Sequence, residues 1–322
     1  MSAAARIVFA GTPQFAVPSL QRLISTRAQI PVVLTRPDRP AGRGRKPAHS
    51  PVKREALARG LEVCQPEVLE PGVLGAHAAR APDLLIVVAY GLLLPPWLLD
   101  WPRLGAVNVH ASLLPRWRGA SPIQHAILAG DEQTGVSVMQ MDAGLDTGPV
   151  FGRHALTIRS GENAGELHDR LARLGAQLLG ELLPAILDGV LTPAPQQPGQ
   201  ASYAPRITKA EAPLDWTRPA AELERRVRAF NPWPVSETAT RDGRRLRIWE
   251  AIALEGSVVA PAGSVVAPAG SVVAADRRGI DVATGEGVLR IVRLQPPGGT
   301  VMSAQAYLNA HRLRGAALVS RT

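Results

Sequence analysis

Along the first half of the chain, short apolar runs alternate with stretches of helical spacing. "RIVFAG" (Arg6–Gly11) reads as a strand, and "TPQFAVPSLQRLI" after it as a helix. "IPVVLT" and "LEVC" read as two more strands, with "SPVKREALARG" helical between them. "DLLIVVAY" (Asp83–Tyr90) is almost continuously apolar, as expected of a strand covered on both faces. "AVNVH" and "TGVSVMQM" repeat the theme. This alternation predicts a Rossmann-like α/β domain with a mostly parallel sheet. In such sheets ligands sit at the carboxyl ends of the strands, and His110 closes one of them. The first turn, "GTPQFA", is not G-x-G-x-x-G, and no acidic residue closes the second strand. Both facts disfavour a dinucleotide site.

The pattern changes further on. Glu162 to Asp188 has helical spacing, and the Pro/Gly/Gln-rich "GVLTPAPQQPGQASYAPRIT" then reads as a linker or crossing segment. Beyond it lie one amphipathic helix, "PAAELERRVRAF", and the short strands "SETAT", "RLRIWEAIAL", "GIDVAT" and "VLRIVRLQ", closed by a helix at "SAQAYLNAHR". This suits a small OB-like β-barrel. The expected organisation is a catalytic domain over 1–188, a linker over 189–207 and the barrel over 208–322. "GSVVAPA" at 256–262 recurs at 263–269, and "GSVVAAD" follows. Seven is odd, so shifting a strand by one unit swaps its faces. The surplus copy is expected to loop out of the barrel.

Charge divides the chain. Residues 1–54 carry ten Lys/Arg against one acid, Asp38. Residues 55–205 carry nine against fifteen, and 206–322 carry seventeen against eleven. A polyanionic partner would be met at the N-terminal element and the C-terminal segment, with an acidic body between them. The basic residues of the first region concentrate in "RPDRPAGRGRKPAHSPVKR" (Arg36–Arg54), which Pro and Gly mark as a long loop after the second strand. The single cysteine, Cys64, excludes an intramolecular disulfide and a Cys-rich zinc site. With no run of 18 apolar residues and no signal-peptide pattern, the chain is expected in the cytoplasm.

Residues i and i+2 of a strand share a face, so Asn108 and His110 point the same way. An amide N–H can donate to a developing oxyanion, and an imidazole can do the same or move a proton. Backbone groups at a strand end could equally satisfy both side chains. "MDAGLDTGPV" places Asp142 and Asp146 in a loop whose glycines let it fold back tightly. Either carboxylate could orient His110, and either could simply cap a turn.

Taken together, "RIVFAGTPQFAV", "RPDRPAGRGRK", "VVAYGLLLP", "LGAVNVHASLLPRWRGASPIQHAILAGD", "GVSVMQMDAGLDTG", "RAFNPWP" and "LQPPGG…MSAQAYLN" resemble the methionyl-tRNA formyltransferase family over nearly the whole chain. The "NVHASLLPRWRGASPIQ" and "GLDTG" stretches mark folate-dependent formyltransferases as a group; the basic loop and the C-terminal domain narrow the resemblance to the tRNA enzyme. It implies transfer of a formyl group from 10-formyltetrahydrofolate to methionine on initiator methionyl-tRNA; the sequence has no H-E-x-x-H, Cys cluster or Walker loop, so no metal is expected. The catalytic positions fall on Asn108, His110 and Asp146. The folate stretch falls on Ser112, Leu113, Leu114 and Pro115, with the backbone of Val88, Ala89, Tyr90, Gly91 and Leu92 walling the pterin pocket. Arg36, Arg39, Arg43, Arg45 and Lys46 would meet the acceptor arm, and Arg116 and Arg118 would sit close to anionic ligands. The expected state is a monomer. Two rivals stand beside this reading: a formyltransferase acting on a small amine, and a non-catalytic RNA-binding protein that keeps a relic α/β domain.

Overall fold

The computed structural model describes residues 4–41, 46–254, 267–311, 313 and 316–319. They fall into two compact units. One comprises Met1–Pro122, Gln133–Thr157 and His168–Ala204; the other comprises Ile123–Glu132, Ile158–Leu167 and Pro205–Thr322.

The first unit is built on a seven-stranded sheet. Its strands are β1 (Ile7–Gly11), β2 (Val33–Leu34), β3 (Val63–Cys64), β4 (Leu84–Val88), β5 (Ala106–His110), β6 (Gln133–Gln140) and β7 (Val150–Thr157), in the order β3-β2-β1-β4-β5-β6-β7. The first five in that order are parallel, as the alternating sequence predicts. The last two form an antiparallel hairpin on β5. All five residues of β1 and of β4 are buried, which explains their unbroken apolar character.

β5 is different. Val107 and Val109 are buried, while Asn108 between them is half-exposed. The long helix Ala164–Leu187 covers the valine face. A side chain at Gly175 would come within 2.7 Å of Val109 Cγ1, so the helix backbone lies directly on that valine. Asn108 and His110 therefore belong to the opposite face.

The second unit carries an antiparallel, curled sheet. Its strands run in the spatial order Val272–Asp276, Gly279–Ala283, Val288–Gln295, Arg245–Leu254, Ser236–Thr240 and Leu318–Val319, with Met302–Ser303 also on Val288–Gln295. The register shifts between Ile248 and Ala251, where a bulge bends the sheet. Leu246, Ile248, Ile280, Val282, Leu289, Ile291 and Leu294 form the core together with Leu223 and Val227 of the helix Ala220–Ala229. The third repeat unit, "GSVVAAD", supplies the edge strand Val272–Asp276, and Gly270 N–H donates to Ala283 O at 2.8 Å. Residues 255–266, which hold most of the duplicated "GSVVAPA", lie outside the described residues. Among the described residues no helix is long and apolar enough to cross a membrane.

Candidate active site

The site is assembled from β5 and two turns that close on it. After His110 the chain tightens at once. Ser112 Oγ donates to Arg116 O at 2.6 Å, and Arg116 N–H donates to Leu113 O at 3.1 Å. From β6, Ser137 Oγ donates to Ser112 O and accepts from Leu114 N–H at 2.7 and 3.0 Å. The Leu114–Pro115 peptide is cis, and Arg153 donates to Leu114 O at 2.7 Å. Trp117 has φ +60°, a left-handed conformation that aims its carbonyl at His110. His110 Nε2 lies 2.9 Å from that oxygen. A carbonyl only accepts, so Nε2 carries the proton and Nδ1 is the nitrogen left to face Asp146.

The loop after β6 reaches the same place. β6 is antiparallel to β5, so Gln140 ends opposite Val107 and not at the His110 end. To reach the imidazole the loop must fold back over the polar face of β5. Its glycines permit this: a side chain on Gly148 would collide with Gln140 O. Asp142 shapes the turn, its Oδ1 accepting from Gly144 N–H at 3.0 Å and Thr147 Oγ1 at 2.7 Å. Asp146, at φ +53°, presents its carboxylate to β5. Its Oδ2 accepts from Gly119 N–H at 2.8 Å and lies 3.7 Å from His110 Nδ1, while Oδ1 lies 3.4 Å from Asn108 Nδ2. The fold thus gathers Asn108, His110 and Asp146, 38 positions separating the first from the last. The Asn108–Asp146 contact is a long hydrogen bond, and the His110–Asp146 separation lies beyond hydrogen-bond distance but within that of an ion pair. His110 is 7% exposed, so charge developed beside it is weakly screened.

The remaining expected positions fall in four groups. Ser112 and Leu114 are buried, and Leu113 and Pro115 are half-buried in the turn. Val88 ends β4, and Val87 pairs in parallel with Asn108, so Ala89 to Leu92 continue from the strand end next to the carboxyl end of β5. Ala89 (φ +46°) and Gly91 (φ +85°) are exposed, as is Leu93, whereas the Tyr90 side chain turns into the core. Burial pushes the Tyr90 phenol above its ordinary pKa. Arg36 lies beside this segment, its Cγ 4.0 Å from where a Gly91 side chain would begin. Arg39 is exposed in the short segment Arg39–Ala41, which pairs antiparallel with Lys46–Ala48. Arg43 and Arg45 lie outside the described residues, as does the side chain of Lys46. Arg116 stacks over the Trp117 ring at 4.4 Å, but Arg118 is buried and turned onto Gln196. Among the described residues no group of three His, Cys, Asp or Glu side chains is arranged to hold a metal ion.

The base of the basic segment is clamped. Asp38 Oδ2 accepts from Lys53 Nζ at 2.7 Å and pairs with His49 Nδ1 at 2.8 Å; Oδ1 accepts from Gln65 Nε2 at 2.9 Å. The Lys53 ammonium, followed by the Gln65 amide, holds the Asp38 carboxyl well below the usual carboxylate range. The lone acid of the N-terminal region ties the two ends of the segment together.

Sequence reasoning did not single out Ser137, Gln196 or Ser202. Ser202 Oγ accepts from Trp117 N–H at 2.9 Å, and Ser202 O accepts from Arg118 N–H at 2.8 Å. Ser137 arrives on β6, whereas Gln196 and Ser202 reach the site through the return of the stretch after Asp188 across the first unit.

Comparison with known proteins adds the chemistry. A family model described as "Formyl transferase" matches residues 5–183, and a second, "Formyl transferase, C-terminal domain", matches 206–312. The methionyl-tRNA formyltransferase of Methylococcus capsulatus is 52% identical over 96% of this chain and 98% of its own. That of Halorhodospira halophila is 54% identical over 96% and 97%. Among solved structures, the N-formyltransferase of Helicobacter canadensis, in complex with folinic acid and dTDP-3-aminofucose, superposes with a TM-score of 0.65 at 15% identity, covering 89% of this chain and 99% of its own. At that identity the likeness is one of fold.

Proposed function

The chain belongs to the formyl transferase family, and from that membership we propose that it transfers the formyl group of 10-formyltetrahydrofolate to the α-amino group of methionine on initiator tRNA. The observation that carries the reading is the convergence of Asn108, His110 and Asp146 on one face of β5.

The roles follow from the donors available. Asn108 Nδ2 and, in the imidazolium form, His110 Nδ1 both face Asp146 and can donate to the formyl oxygen as the amine attacks and negative charge gathers there. Asp146 balances the imidazolium and can accept the proton that the amine loses when its new bond to the formyl carbon forms. Collapse of the adduct breaks the bond to the folate nitrogen, which leaves with a proton. The exposed positions Ala89, Gly91 and Leu93, which follow the strand paired with Asn108, suit a flat pterin, together with the half-buried Leu113 and Pro115 of the turn after His110. When bound there, the folate supplies an activated one-carbon unit.

The tRNA would be held at two places. Arg36, Arg39, Arg43, Arg45 and Lys46 supply charge for acceptor-arm phosphates beside the pocket, and the second unit adds a net-basic surface. Catalysis is assigned to residues 1–188 and tRNA binding to 208–322, in a monomer acting in the cytoplasm. A small amine would need neither basic region. The deciding assay offers formylated folate with charged initiator tRNA, charged elongator tRNA and free amines in parallel. Formylation of the initiator alone is expected. Equal turnover of a free amine would favour the small-amine reading, and no turnover of any acceptor would favour the RNA-binding one.

A further inference from the structure

We infer that Gln196 is a positioning residue that holds Asp146 in its working place; the inference rests on the reading of Asp146 as the catalytic carboxylate. Gln196 lies in the Pro/Gln-rich stretch after the long helix, yet it is only 9% exposed. Its Oε1 accepts from Nε and Nη2 of Arg118 at 3.1 and 2.8 Å, and Arg118 is itself 6% exposed. A guanidinium has donors and no acceptor, so the amide oxygen must face it. That fixes the other end. Gln196 Nε2 turns away from Arg118 and donates to the main-chain oxygens of Asp146 at 2.8 Å and Gly148 at 2.7 Å.

The first of those carbonyls belongs to the residue that needs support, and the second lies two residues beyond it. Asp146 holds φ +53°, a conformation that is costly for most non-glycine residues and persists where the surroundings enforce it. Gly119 N–H fixes its carboxylate, and Gln196 fixes its peptide. Arg118 and Gly119 are consecutive, so one dipeptide governs both: its backbone directly, its side chain through Gln196. The same turn offers Trp117 O to His110. The two working side chains are thus set against each other by one short segment and one glutamine.

An amide alone satisfies both ends. Glutamate would still pair with Arg118 but would turn an acceptor onto two carbonyls. Methionine would fill the volume and make neither hydrogen bond.

The test compares Gln196→Glu, Gln196→Met and Asp146→Asn with both Gln196 changes combined with Asp146→Asn. A displaced reacting group can cost up to about 10²-fold, so each single Gln196 change is expected to lower kcat by roughly 10- to 100-fold. KM for folate and for charged tRNA should stay within about twofold, since the ground-state interactions remain. With Asp146→Asn already present, the Gln196 change should cost little more, because it acts through a carboxylate that is no longer there. Full additivity, or near-normal kcat in both single variants beside a damaged Asp146→Asn, overturns the positioning role. If both Gln196 variants unfold at the assay temperature, the residue is a plain structural support and the inference fails. A benign Asp146→Asn would instead overturn the catalytic reading on which it rests.

Discussion

His110 Nε2 donates to Trp117 O, seven positions along the chain, at 2.9 Å, and this bond decides which ring nitrogen faces Asp146. Nε2 is occupied by the protein, and Nδ1 is the nitrogen left facing the carboxylate. On the proposed reading Nδ1, once protonated, is one donor to the reacting oxygen, and Asn108, one strand repeat earlier, is the second.

His110→Ala and Asn108→Ala should each lower kcat by about 10²–10³, the usual cost of losing one oxyanion donor. KM for tRNA should hardly move. Steady-state kinetics against charged initiator tRNA would show it, and wild-type turnover in either variant removes that residue from the mechanism.

Asp146→Asn keeps the side chain's size and removes the charge opposite the imidazolium, so kcat should fall severely while folate binding persists. Asp142→Asn should be mild, because Asp142 Oδ1 only accepts from Gly144 and Thr147, and an amide oxygen accepts as well. A reversed order of severity would mean that the loop's two carboxylates have exchanged roles.

How much of this was legible in the sequence depends on how local each signal is. The strand period alone puts Asn108 and His110 on one face, and the unbroken apolar runs locate β1 and β4. The choice between Asp142 and Asp146 is invisible to composition, since both sit in the same glycine loop. It rests on which one meets Gly119 N–H and the imidazole. β7 was not legible, because its half-exposed pattern has no strong apolar run. Gln196 was hidden for a further reason: Pro, Gly and Gln around it read as a connection, and its partners lie 48 to 78 positions away.

Asp38→Asn should loosen the base of the basic segment. The expected result is a raised KM for tRNA with an unchanged KM for folate. The pH dependence has a definite sign. The folded-state pKa of Asp38 is depressed, so its contribution is present above the ordinary carboxylate range and is lost only as pH falls through the depressed value. tRNA affinity should therefore show no inflection from this group between about pH 5 and about pH 8. Binding titrations of wild type and variant over that range would detect one.

Replacing Arg43, Arg45 and Lys46 together with Ala should weaken tRNA use and flatten its salt dependence. For each duplex phosphate that is no longer neutralised, the log–log salt slope should shrink by ~0.9. Identical formylation by variant and wild type across salt would make the basic segment an ordinary charged surface.

Deleting one "GSVVAPA" copy should leave turnover and Tm nearly unchanged, since the edge strand Val272–Asp276 is drawn from the unit that follows. A drop of several degrees in a thermal melt would contradict this.

That edge strand also means the chain carries its own competitors for the same place in the sheet. Three consecutive segments begin "GSVVA", and any of them could be offered to Gly279–Ala283 during folding. Two residues tell them apart. Where the third has Ala275, paired with Ile280, the others have Pro261 and Pro268, which bring no N–H to a ladder. Where the third has Asp276, whose carboxylate receives Arg278 N–H and its guanidinium in the turn, the others have alanine. A slipped pairing would lose the turn and place a proline in the strand. Exchanging Ala275 and Asp276 for Pro and Ala would erase the distinction and leave the C-terminal unit with several near-equivalent ways to close.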